Sequence, residues 1–302
     1  YTGSKINSRM VRFENSPDVP VSTNSTQSEN SVIVDPNNNM TALNSNNSGG
    51  PGGTPIYGAN DLYTFDGGET FIGENSGAGG NNSGDPAACI GTDGRWYVGY
   101  IKNSGQGVAH SDDQGQSWTH VKVAPNPGSL ADKNHMWLDR KSGSPYENNL
   151  YNAWTDFGGS SDNEIVLKYS ADNGETWSAK KTISTAVNAG SHNQGVNVQS
   201  GPNGEVYAVW AIYDGWPQDE KALGFSKSLD GGETWSPAVR IIGNIRGVRN
   251  SGVPQNMRVA TFPVMAVDTR DGPNGGNLYV VWTNIGVPGI NTGNDRDVYM
   301  IM

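Results

Sequence analysis

Short apolar runs alternate with turn residues along the whole chain, and no long stretch repeats apolar positions at helical spacing. Five times an apolar run is followed by a turn and a second run: Ser31 to Leu43, Ala87 to Tyr100, Met136 to Trp154, Val196 to Trp210 and Val264 to Trp282. The intervening turns include Asp93-Gly94, Asn203-Gly204 and Asn274-Gly275, residue pairs that tolerate the positive φ of tight hairpin turns. The second runs align as Trp96-Tyr97-Val98-Gly99-Tyr100, Leu150-Tyr151-Asn152-Ala153-Trp154, Val206-Tyr207-Ala208-Val209-Trp210 and Leu278-Tyr279-Val280-Val281-Trp282. Mixed aromatic and β-branched runs of this length predict strands covered on both faces. Third strands are expected at Asp61–Tyr63, Gln106–His110, Glu164–Tyr169, Ala222–Ser226 and Asp297–Met302.

Four of the third strands run into one octapeptide pattern, Ser/Thr-x-Asp-x-Gly-x-Thr/Ser-Trp/Phe. It stands at Thr64–Phe71, Ser111–Trp118, Ser170–Trp177 and Ser228–Trp235, with aspartates Asp66, Asp113, Asp172 and Asp230 spaced by 47, 59 and 58 residues. Such a period marks a repeat architecture with one supersecondary unit per repeat. The Asp and Ser/Thr side chains can bond nearby backbone to close a turn, glycine supplies a positive φ, and the ring enters the next strand.

These octapeptides resemble the Asp-box (BNR) repeat of the sialidase-like β-propellers, and the resemblance covers most of the chain. It implies an all-β propeller of four-stranded blades, each box joining third and fourth strands on the face away from the active site. It also implies six blades in a complete protein, of which about five are visible here. Residues 1–302 are read as a single propeller domain, with residues 1–30 (a strand expected at Met10–Phe13) completing the last blade and the C-terminal blade incomplete. The sialidases of this family hold a substrate carboxylate with three arginines from separate blades. Their Phe/Tyr-Arg-Ile-Pro signature has no counterpart in Met10-Val11-Arg12-Phe13-Glu14.

Composition narrows the partners. The chain has 302 residues, a net charge of -10, 34% hydrophobic residues and 41 glycines, which suits many short strands and disfavours a nucleic-acid partner. No apolar stretch is long enough to span a membrane. The single cysteine, Cys89, lies in an apolar run and is expected to be buried. Low lysine with high Asn, Gly and Ser points to a secreted, extracellular protein, with Asn-x-Ser/Thr sequons at Asn24, Asn39, Asn46 and Asn81.

If the boxes mark one face, the loops of the other face line the central pocket. Asp132 is a candidate general acid or metal ligand with His135 beside it, and His192 precedes another inner strand. Asp156 and Asp214 lie in the second set of loops and join Asp132 as candidate catalytic carboxylates, because glycoside cleavage takes two. Trp216, between Gly215 and Pro217, has no evident core role and suits stacking on a sugar ring. Arg240, Arg246, Arg249 and Arg258 gather four of the ten arginines within 19 residues, and Arg246, Arg249 and Arg258 are candidate substrate ligands for an anionic group. No cofactor motif is present; the metal content is unknown, calcium on Asp and carbonyl oxygens being the one metal considered.

Two functions follow from this reading. One is a secreted glycoside hydrolase or lyase acting on carbohydrate, an anionic glycan or polysaccharide above all. The other is a non-catalytic glycan-binding or adhesion module joined to other domains of a longer chain. A scaffold for protein partners is a third.

Overall fold

The computed structural model describes residues 19–22, 26–49, 56–75, 78, 82–102, 104–187, 189–250 and 259–302. The described residues form five antiparallel sheets in chain order, each built as an up-and-down meander, with only two short 3-10 turns. The inner strands are Thr26–Asp35, Ala87–Ile90, Leu130–Leu138, His192–Ser200 and Val264–Val267. The second, third and fourth blades have four strands each; the first carries an extra strand, Ile56–Ala59, and the fifth shows three. The second and third strands fall where the apolar runs predict them, as at Val206–Tyr213 and Ala222–Ser228. The N-terminal strand expected at Met10–Phe13 lies outside the described residues.

Neighbouring blades are held by burying the aromatic second strands between sheets. Trp96, Trp154 and Trp210 are fully buried, and each belongs to an apolar cluster shared by two successive blades. A fourth cluster joins the fourth and fifth blades around Val209, Leu223, Met265 and Trp282. Full burial of such side chains contributes about 1.5–3 kcal/mol each, so blade contacts rather than hairpins hold the ring. Cys89 is buried in one of these clusters, as expected, and burial pushes its thiol up to about 12.

The Asp boxes are turns closed by their own side chains. In the fourth blade, Ser228 Oγ donates to Asp230 Oδ1 at 2.7 Å and accepts the Gly232 N–H at 2.8 Å. Asp230 in turn accepts the Thr234 N–H at 2.8 Å and the Thr234 hydroxyl at 2.5 Å. The same bonds recur at Asp66, Asp113 and Asp172. Two successive residues take positive φ in every box (Gly67–Gly68, Gln114–Gly115, Asn173–Gly174, Gly231–Gly232), so the variable position before the glycine is constrained as well. Hydrogen bonds from Thr234 hold the Asp230 carboxyl down at about 2, and those from Ser117 do the same to Asp113. Of the described sequons, Asn46 is buried and Asn39 exposed.

Ser228→Ala should destabilise the chain by about 1–3 kcal/mol, since it orphans the buried Gly232 N–H. Urea unfolding checks this: a shift in midpoint at unchanged slope is expected, and an unchanged midpoint would contradict the box account.

Candidate active site

A strand points alternate residues to opposite faces, so a straight inner strand would turn only every second side chain toward the axis. The inner strands of the first four blades break this rule at their upper ends. In the first, third and fourth blades two residues oppose one on the second strand: Glu29-Asn30, Lys133-Asn134 and Gly195-Val196. The second blade repeats the count with Asp85-Pro86, between the Gly84–Ile101 backbone bond and the Ala87–Gly99 pair. The leading residue of each bulge has positive φ: Glu29 55°, Asp85 54°, Lys133 53° and Gly195 72°. In the fifth blade Phe262 and Pro263 take the corresponding place. Such bulges bend the strand and re-aim side chains, here over the mouth of the axial channel.

The result is a pocket of about 330 Å³ lined by Glu29, Asp85, Asp132, Lys133, Trp216 and Arg249. Phe157 and Phe262 form its apolar walls. Below it the five inner strands enclose a channel of about 420 Å³ that includes His135 and Trp137.

Three carboxyls meet in the pocket, one from each of the first three blades. Asp85 is hydrogen-bonded to both Glu29 and Asp132. Burial, and then the Glu29 charge, push Asp85 up to about 8, and burial also raises Asp132. Lys133 counters this on two sides: its backbone N–H donates to Asp85 Oδ2 at 2.9 Å, and its Nζ to Glu29 Oε2 at 3.2 Å. Gln194 Nε2 donates to Asp132 Oδ2 at 2.5 Å. Close carboxyls resist ionising together, and burial beside Glu29 pushes Asp85 toward its protonated form.

Opposite the carboxyls stands a stack. The His192 and Trp216 rings are 3.9 Å apart by centroid, and the Arg249 guanidinium lies 4.2 Å from the Trp216 centroid. Two groups at that distance would overlap on one face, so they take opposite faces and Trp216 offers its edge. Tyr213 packs edge-on to Trp216 at 5.0 Å. The fully buried Glu220 fixes the Arg249 segment: its carboxylate accepts the N–H groups of Val248 at 3.1 Å, Arg249 at 3.3 Å and Thr261 at 2.8 Å, and the Tyr213 hydroxyl at 2.8 Å. Among the described residues the Arg249 guanidinium has no carboxylate partner, although the chain is acidic.

Other residues singled out in the sequence have different surroundings. Asp156 is buried against Lys180 Nζ at 2.5 Å and the Trp154 indole N–H at 2.7 Å, away from the pocket. Asp214 is held by Arg240 and by Ser191 Oγ at 2.9 Å. Arg240 lies in the strand Val239–Ile242 rather than in a loop. Arg246 donates to the carbonyls of Asn291 and Gly293 at 3.3 and 2.9 Å. His135 faces the channel, bonded to Val198 N–H at 3.3 Å, and desolvation drops it to about 4. His192 drops to about 4 for the same reason. Arg258 lies outside the described residues. Among those described, no group of three His, Cys, Asp or Glu is arranged to hold a metal ion.

Glu29, Asp85, Lys133 and Gln194 are polar pocket residues that the sequence did not single out. Aligning Glu29-Asn30-Ser31, Asp85-Pro86-Ala87 and Lys133-Asn134-His135 at the upper ends of the inner strands would have found the first three.

A family model for the BNR/Asp-box repeat matches residues 168–179. A search of curated protein sequences finds no match. Several solved structures share the fold. The Fusarium graminearum α-L-arabinofuranosidase with an iminosugar inhibitor is 16% identical, covering 93% of this chain and 83% of that one at a TM-score of 0.54. The Penicillium chrysogenum α-L-arabinanase with arabinobiose is 14% identical, covering 91% and 93% at 0.51. The leech intramolecular trans-sialidase is 11% identical, covering 95% of this chain and 63% of that one at 0.54.

Asp85→Asn should flatten the pH dependence of stability. A carboxyl whose pKa is raised from about 3.9 unfolded to about 8 folded keeps its proton only in the folded state. Stability therefore falls as pH rises between those values. Thermal unfolding at pH 5 and pH 8 should show a smaller drop in the variant than in the parent; equal drops would contradict the assignment. Gly195→Val should cost about 1–3 kcal/mol, because a Cβ there meets the Phe262 ring at 2.1 Å.

The boxes, the repeat-model match and the succession of blades lead to one conclusion: the chain is an all-β propeller that carries Asp-box (BNR) repeats.

Proposed function

We propose that this protein is a glycoside hydrolase that cleaves a glycan at the mouth of the propeller axis. The observation that carries the reading is the Glu29–Asp85–Asp132 group, in which Asp85 is pushed toward its protonated form beside Glu29, the partner of Lys133. Glycoside cleavage takes an acid to protonate the leaving oxygen and a carboxylate to attack or to activate water, the two standing roughly 5–10 Å apart across the bond; the substrate therefore enters between Asp85 and Glu29 and replaces the hydrogen bond they make in its absence. Asp85 is the proton donor. Glu29, paired with Lys133, is the carboxylate assigned to the anomeric carbon. Asp132, fixed by Gln194, hydrogen-bonds Asp85 and sets its orientation. The fold relatives, among them an arabinanase bound to arabinobiose and a trans-sialidase, lend support as carbohydrate-acting propellers.

The preferred glycan is anionic. Arg249 lines the same pocket, is pinned by Trp216 and Glu220, and has a planar fork that matches a carboxylate. Holding the side chain in place beforehand lowers the entropy cost of binding. A glycan substrate and an acidic, asparagine-rich chain also fit a secreted, extracellular protein, which fractionation of the native source would test.

The test is release of reducing sugar from a panel of neutral and uronate- or sialate-bearing glycans. Asp85→Asn should lower kcat by about 10²–10⁴-fold without abolishing binding. The rate should fall as pH rises through about 8, where Asp85 loses its proton. Lys133→Met removes a charge that lowers the Asp85 pKa, so this alkaline limb should move upward. Arg249→Met should raise KM for carboxylate-bearing substrates about tenfold or more and leave neutral ones unchanged. Binding by the parent protein with no release from any glycan would overturn the catalytic reading in favour of a binding module.

A further inference from the structure

We propose that the basin beyond Trp216 is a second sugar subsite, so that the substrate is a glycan chain continuing past the cleavage pocket. The inference rests on the pocket reading above and extends it to the length of the substrate. Trp216 lines both cavities: the carboxyl pocket on one side, and on the other an open basin of about 460 Å³ bounded by Asn163, Gly190, Ser191 and His192. Its faces are taken by His192 and Arg249, so its exposed edge is the sill between the two cavities.

The basin is built for hydroxyl groups rather than for a charge. Ser191 Oγ sits between the Asp214 carboxylate, to which it donates at 2.9 Å, and the Arg240 guanidinium, from which it accepts at 3.1 Å. Asp214 and Arg240 neutralise each other in a two-pronged ion pair that stays partly exposed. Asp214 and Arg240 lie behind the lining and fix the Ser191 hydroxyl, which faces the basin and serves a sugar ring without selecting for an anion. His192 gives the basin a rigid, uncharged wall, bonded through Nδ1 to Asn163 Oδ1 at 2.6 Å and lowered to about 4 by desolvation. Space is available: a Cβ on Gly190 would meet nothing within 4 Å. The arrangement makes Asp214 a positioning residue for Ser191, not a catalytic one.

The test measures binding on the Asp85→Asn protein, so that it does not depend on turnover. The probes are linear arabinan and polygalacturonan oligosaccharides of two to six units, titrated by calorimetry. For the backbone that binds, affinity should rise at least tenfold between two and four units. Gly190→Tyr, added to the same protein, should fill the basin and abolish that rise while leaving disaccharide affinity unchanged. Asp214→Asn, which adds no bulk, should reduce the rise, and guards against a folding defect in the first variant. Affinity independent of chain length, equal weakening of short and long chains by Gly190→Tyr, or no binding of any oligosaccharide would overturn the subsite. Length-dependent binding with no turnover by the parent protein would instead uphold the subsite and overturn only the catalytic assignment.

Discussion

The site depends on one departure from strand geometry, the two-for-one bulge at the upper end of the first four inner strands. Without it, side chains would alternate between the axis and the blade interior, and Asp132 and Lys133 could not both reach the mouth. The bulge rotates Glu29, Asp85 and Lys133 over the channel by placing each at positive φ, a conformation uncommon in residues other than glycine. Three repetitions of that local cost gather carboxyls in a buried space that pushes Asp85 toward its protonated form. Glycine takes the place in the fourth blade because a side chain there would strike Phe262.

The scaffold that makes this affordable is at the opposite end. Antiparallel meanders put the third-to-fourth turns, and so the Asp boxes, at the end of each blade away from the bulges. The boxes close on themselves, and charged contacts tie them to neighbours: Arg95 reaches Asp112 and Glu175, and Glu233 bonds Tyr169 and Lys181. With indoles packed between blades and these ties below, the upper ends can carry strained backbone and crowded charge. Rigid, repeated structure at one end thus supports the chemistry at the other.

The fold was legible because its signals are local. The octapeptide contains every partner of its own turn, and the aromatic second strands announce burial on both faces. The site was legible only in part. Asp132 was found because it precedes an inner strand, whereas Asp85, in the equivalent place one blade earlier, was not singled out. Glu29 was hidden in a polar segment that carries no apolar run, and its value depends on Lys133, 104 residues away. Asp156 and Asp214 illustrate the converse: sequence cannot tell a free carboxylate from one already held, here by Lys180 and by Arg240. Trp216 was singled out as a ring without a core role, yet its faces are filled by His192 and Arg249, which come from other parts of the chain.

The central claim is that the three carboxyls share a proton that rests on Asp85 at neutral pH. The most direct measurement is a carbon-13 NMR titration of aspartate-labelled protein, with Asp85→Asn used to assign the resonance. The account predicts one carboxyl that titrates near 8 and vanishes in the variant. A profile in which every aspartate of the pocket ionises at or below the ordinary value of about 4 would contradict it.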